Sequence, residues 1–111
     1  MKTKISTKQD IINFFDFLYF HENIMPDPYS DFHDYFDMKT KENVFSPEKA
    51  NLYNKIMANC CIVSETKGID LQKLCLQYDL YQYKTLPEIY HEDEKKLYLN
   101  FIRTRNLAAR Y

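Results

Sequence analysis

A metal site is the first chemistry to weigh, from His21, Asp27, Asp31, His33, Asp34 and Asp37 within seventeen residues. Imidazole with carboxylate suits zinc or manganese, and closely spaced carboxylates suit magnesium or calcium. None of the spacings H-x-x-x-H, H-E-x-x-H or D-x-D-x-D-G occurs in the chain. Aspartates also start turns and cap helices, so neither a metal nor another cofactor is expected. Nucleophilic catalysis would draw on Cys60, Cys61 or Cys75, each needing a nearby histidine and an open, electropositive setting. Cys60 and Cys75 occupy apolar positions and read as small core fillers. Cys60 and Cys61 are neighbours, pointing about 100° apart on a helix, and are poorly placed to bridge. His91 opens an acidic run, and the carboxylate pairs Asp31 with Asp34 and Glu92 with Glu94 mark no cleft. A single glycine in 111 residues argues against phosphate-cradling loops and nucleophile elbows. The expectation is a protein that is not an enzyme.

Recognition of another macromolecule leaves more trace. Residues 9–38 hold seven acidic side chains and no lysine or arginine, whereas residues 95–111 hold five basic ones and no acid. The segment Asp27-Pro-Tyr29-Ser-Asp31-Phe32-His-Asp34-Tyr35-Phe-Asp37 combines rigid aromatic anchors with carboxylates, a combination complementary to a basic protein surface. Phe17 and Phe20 fall on the polar side of the preceding helix and would add to such a face. Partner contacts are therefore expected from Phe17, Phe20, Asp27, Tyr29, Asp31, Phe32, Asp34, Tyr35 and Asp37. The opposing reading is that these rings are core and the acids keep a loop soluble. An alternative function, nucleic-acid binding, would use Lys95, Lys96, Arg103, Arg105 and Arg110, with Tyr98, Phe101 and Tyr111 for stacking. A third possibility is a small structural or homo-oligomeric component.

The elements that must position these residues read as helices. Ser46 can cap, Pro47 suits the first helical position and Glu48 complements the dipole. Leu52, Tyr53, Ile56, Met57, Cys60 and Val63 then recur at helical spacing. Gly68 sits where a left-handed residue ends a helix, with Ile69 folding back on Val63. These signals predict a central helix over about 47–67. An earlier helix runs from a Ser6 or Thr7 cap to about Glu22, burying Ile11, Ile12, Phe14, Phe15, Leu18 and Tyr19. Residues 23–45 form a long aromatic-rich loop in which Pro26 and Pro28 forbid a continuing helix, with room for one helical turn over 30–36 capped by Ser30. After an Asp70 cap, residues 71–83 favour helix, although Leu74, Leu76, Tyr78 and Leu80 also alternate as a strand would. Thr85-Leu-Pro-Glu88 has capping-box spacing and predicts a last helix from about Pro87 to Arg105, with Tyr90, Leu97, Tyr98, Phe101 and Ile102 inward. The fold class is all-α: one domain over 1–111 of four to five helices, with 1–6 and 107–111 loose. Short connections at 67–70 and 83–86 predict antiparallel neighbours.

At this length a core can form without staples. The start, MKTKISTKQD, lacks an apolar leader, no run could span a bilayer, and the cysteines form no disulfide framework, so a cytoplasmic protein is expected. With these features, and with the phrases Asp31-Phe-His-Asp-Tyr-Phe-Asp37 and Phe45-Ser-Pro-Glu-Lys-Ala50, the chain resembles in type the small accessory proteins of bacterial phages and mobile elements. That resemblance implies a stoichiometric inhibitor of a defence nuclease, as anti-CRISPR proteins are, or a small virion or regulatory component. It carries no functional residue over, since no family motif is matched.

Overall fold

A computed structural model describes residues 3–37 and 45–111, and among these the chain forms five α-helices and no strand. They are α1 (Lys8–Phe20), α2 (His33–Asp37), α3 (Pro47–Lys67), α4 (Leu71–Tyr83) and α5 (Glu92–Thr104), with a 3-10 turn at Leu86–Glu88. The first three long helices begin as their local chemistry directs. Thr7 accepts from the Asp10 amide while Asp10 accepts from the Thr7 amide, a reciprocal capping box. Ser46 caps α3 ahead of Pro47, and Asp70 caps α4. Gly68 ends α3 at φ +67°, and the Ile69 amide reaches back to the Ser64 carbonyl at 2.8 Å.

Helix α1 packs against both α3 and α4, α5 packs on α4, and α2 lies on α3. The short turn after α3 therefore does not make α3 and α4 close antiparallel neighbours; α1 bridges them. The core is aromatic. Tyr53 on α3 makes edge contacts with Phe14, Phe17, Phe32 and Phe45 at 5.2–6.1 Å between centroids. Tyr78 on α4 does the same for Phe15 and Phe101. Such edge geometry sets the positive rim of one ring against the negative face of the next.

Two polar clamps fasten this core. Tyr53 donates to Glu22 at 2.8 Å, and Lys49 pairs with the same carboxylate at 2.9 Å, tying the chain just after α1 to the start of α3. Tyr78 donates to Asp16 at 2.5 Å, and the Arg105 guanidinium donates to the same oxygen, tying α1, α4 and the end of α5.

Several local expectations give way to tertiary demands. Leu52 is exposed on α3 while Ala50 and Ser64 are buried instead. The capping-box contacts at Thr85 and Glu88 form, but the helix stops after one 3-10 turn and restarts at Glu92. Between them Ile89 takes an extended conformation that sends its side chain into the core and leaves Tyr90 in solvent. The described part of each end makes contacts of its own. Ile5 is buried, and the Arg110 amide donates to the Tyr98 hydroxyl at 2.7 Å while its carbonyl accepts from Leu86 at 2.8 Å. The turn expected under a Ser30 cap is α2, started by Asp31, whose carboxylate accepts from the His33 amide.

Burial of ionisable groups predicts alkaline sensitivity. Desolvation pushes the Cys60 and Cys75 thiols up to about 12. Desolvation, reinforced by the carboxylates they donate to, raises the Tyr53 and Tyr78 phenols. The native chain thus keeps protons that the unfolded chain releases from about pH 9 upward. Stability is complete below that pH and falls above it, by up to about 1.4 kcal/mol per pH unit for each such group. Denaturation midpoints over roughly pH 8–11 should decline in this way. Tyrosinate absorbance should titrate in two steps, the late one reporting the buried phenols. A single step near the ordinary tyrosine value would contradict it.

Candidate binding face on α4

The described residues contain no group of three or more histidine, cysteine, aspartate or glutamate side chains gathered as metal ligands would be. No described helix is long and apolar enough to cross a membrane. The thiols, raised by burial, are poor nucleophiles at neutral pH.

The acidic aromatic segment is divided by the fold. Phe32 is sealed in the core among Tyr35, Phe45 and Tyr53, and its amide donates to Asn54 of α3. It cannot anchor a partner. Tyr35 is half-buried on the same cluster. Asp31 is exposed but committed: it accepts from the His33 amide and from the Asn54 side chain, and it contacts the His33 ring, whose other nitrogen meets Asn51. The His33 amide, ahead of smaller contributions, lowers the Asp31 carboxyl below its ordinary value. Asp34 is exposed on α2. Asp37 ends α2, and its side chain lies outside the described residues. Phe17 is covered by Tyr53 and a stacked His21, and Phe20, though partly exposed, stacks on Phe101.

Asp27 and Tyr29 go elsewhere. Asp27 accepts from the Tyr29 amide at 2.9 Å, a side-chain turn after Pro26 that leaves the Tyr29 ring 79 % exposed. That ring borders the outer face of α4, where Gln72, Leu76, Asp79 and Tyr83 stand one above another at helical spacing. Leu76 is 36 % and Tyr83 70 % exposed. Leu76 lies where three shallow depressions meet. One is lined by Asp27, Pro28, Tyr29, Cys75 and Asp79; one by Asp79, Tyr83, Lys84 and Glu94; and one by Asp70, Lys73, Asp93 and Glu94. Five carboxylates thus surround Leu76 and the two tyrosines, against two lysines. Asp79, Asp93 and Glu94 have no ion-pair partner among the described residues.

Sequence reasoning points to Asp27 and Tyr29 but misses Leu76, Asp79 and Tyr83. Their signal is present: once 71–83 is helical, with Leu74, Tyr78 and Leu80 inward, Leu76 and Tyr83 are apolar residues left without a core to enter.

The basic set is also broken up. Arg105 is only 11 % exposed in its pair with Asp16, its guanidinium 3.9 Å from the Phe101 ring centre. Arg110 lies over Tyr81 and donates to the Lys84 carbonyl, and Lys95 pairs with Glu92 at 3.6 Å. Lys96 and Arg103 stay exposed, the latter donating to Asn100. Those two, seven residues apart, lie on one side of α5.

No protein-family model, curated protein or solved structure matches the chain.

Proposed function

We propose that this protein is a non-enzymatic binding module whose α4 face occupies a basic surface on a larger protein. The observation that carries the reading is the ring of carboxylates around Leu76, Tyr29 and Tyr83, three of them without an ion-pair partner among the described residues. Exposed tyrosines with an aliphatic centre supply contact area, and the surrounding charge steers approach and rejects acidic partners. A surface presenting carboxylates at this density suits a groove that otherwise holds phosphates, as in a nucleic-acid-processing enzyme. A stoichiometric inhibitor of a defence nuclease, the role implied by the resemblance to phage accessory proteins, is the form of this function we favour.

The test uses the intact protein and a variant combining Asp79→Asn, Asp93→Asn and Glu94→Gln, with Tyr83→Ala as a separate variant. A basic partner captured from the source cells should bind at one-to-one stoichiometry, lose affinity with added salt and be displaced by duplex DNA. The neutralised variant should bind about fivefold to a hundredfold more weakly, a few tenths to one kcal/mol per charge, with its melting temperature retained. Equal binding by the variant would refute the reading. Direct binding of labelled DNA or RNA at low salt, seen by anisotropy, would favour the basic carboxyl-terminal alternative instead.

A further inference from the structure

The two clamps inside this fold share one design. In each, a cation meets a carboxylate that also accepts from a tyrosine hydroxyl, and the cation lies over that tyrosine's ring. Lys49 does this with Glu22 and Tyr53, and Arg105 with Asp16 and Tyr78. On the α4 face the carboxylates and the ring recur, but the cation does not.

There, a depression of about 420 Å³ lies between the 25–29 loop and α4. Asp27 and Asp79 are the only charged residues lining it, and the exposed Tyr29 ring borders it. One Asp27 oxygen accepts from the Tyr29 amide; the other, and both oxygens of Asp79, accept nothing among the described residues. Burial raises the Cys75 thiol in the floor, and the Asp27 and Asp79 charges raise it further, so both carboxylates stand close to that floor. Pro26, Pro28, Cys75 and Leu76 make much of the remaining wall apolar. An apolar floor, two open carboxylates and a free ring are complementary to one kind of side chain, with an aliphatic stem and a positive head.

We propose that this depression receives an arginine side chain of the protein partner. The inference rests on the α4 face being a docking surface and names the residue that enters it. The guanidinium donates to Asp27 and Asp79 and stacks on Tyr29, while its methylenes lie against Pro26 and Leu76. The planar guanidinium is weakly hydrated and carries donors in a fork, so it can serve two carboxylates and a ring at once, whereas a lysine ammonium holds its water and stacks less well. The outside arginine thus completes from another chain the arrangement that Arg105 completes from within.

The experiment titrates the full chain at low salt with three capped tripeptides, Leu-Arg-Leu, Leu-Lys-Leu and Leu-citrulline-Leu, following the Tyr29 ring and Leu76 methyl resonances. The arginine peptide should shift both signals and bind at least about threefold more tightly than the lysine peptide. It should bind at least about fivefold more tightly than the citrulline peptide, which keeps the shape and loses the charge. Asp27→Asn, which can still accept from the Tyr29 amide, and Asp79→Asn should each weaken the arginine peptide about two- to fivefold with the melting temperature retained. Tyr29→Leu should bring the arginine and lysine peptides to within about twofold of each other. Tyr90→Ala, an exposed ring outside the depression, should leave every affinity unchanged. Equal binding of the arginine and lysine peptides, equal binding of citrulline, or shifts that avoid Tyr29 and Leu76 would each overturn the proposal. None of these results touches the wider reading of the face, which stands or falls on salt-dependent capture of a basic partner.

Discussion

Replacing Asp16 with alanine should cost on the order of 3 kcal/mol, a large share of the total stability of a domain of this size, about 5–15 kcal/mol. Arg105 places two guanidinium nitrogens on one Asp16 oxygen, at 3.0 and 2.9 Å, and Tyr78 donates to the same atom. The guanidinium also lies over the Phe101 ring, away from bulk water. Without the carboxylate, a nearly buried cation and a buried hydroxyl lose their acceptor together. Truncating one partner of such a pair is far more damaging than replacing both. Asp16 retains partial exposure, so water entering the vacated space keeps the loss at the lower end of the usual range, about 3–5 kcal/mol. Urea unfolding of Asp16→Ala, Arg105→Met and the double variant supplies the check. The double variant should be closer to the parent than the sum of the singles, by at least about 1 kcal/mol. A loss below about 1 kcal/mol for Asp16→Ala would mean that the pair contributes no more than a surface ion pair. The same result bears on function. Any loss of nucleic-acid binding on substituting Arg105 must first be corrected for unfolding.

How much of this molecule is legible in its sequence depends on how far apart the deciding residues lie. Helix α3 is readable because Ser46, Pro47 and Gly68 act on amides within a turn of themselves, and the expected 47–67 span is the observed Pro47–Lys67. Residues 71–83 are ambiguous by alternation alone, and the Asp70 cap together with packing on α1 and α5 resolves them as helix. At Thr85–Glu88 the local signal is correct about its own hydrogen bonds and wrong about the helix beyond them, because burying Ile89 outweighs continuing that helix. The Asp16–Arg105 pair spans 89 positions, and nothing near either residue announces the other. By sequence Arg105 therefore groups with the free cations. The site shows the same division. Asp27 and Tyr29 are found through local turn chemistry, whereas the α4 face exists only once the 25–29 loop, α4 and the start of α5 converge.

The segment 27–36 decides between two fates for aromatic residues, and Phe32→Ala should separate them with a loss of about 3–5 kcal/mol, the usual range for emptying a phenylalanine site in a core. Phe32 has no solvent exposure and sits with Tyr35, Phe45 and Tyr53 at centroid distances of 5.8–6.2 Å. Truncation removes these ring contacts and opens a void under α2. That helix has only five residues, too few to persist by its own hydrogen bonds, so it is held against α3 by the Phe32 ring, by the Asn54 bonds to the Phe32 amide and Asp31, and by the His33 contact with Asn51. Hydrogen exchange at Tyr35 and Phe36 should accelerate more than at Ile56 or Tyr78, because detachment of α2 needs less than global unfolding. Tyr29→Ala is the internal comparison: its ring is exposed, so stability should stay within about 0.5 kcal/mol while affinity for a basic partner falls. Two aromatic residues three positions apart would then have opposite signatures, one in the denaturation midpoint and the other in binding. If Phe32→Ala instead left stability unchanged and weakened a partner, the segment would be an interface that closes over its own rings only when free. The packing of α2 on α3 would then be a resting state.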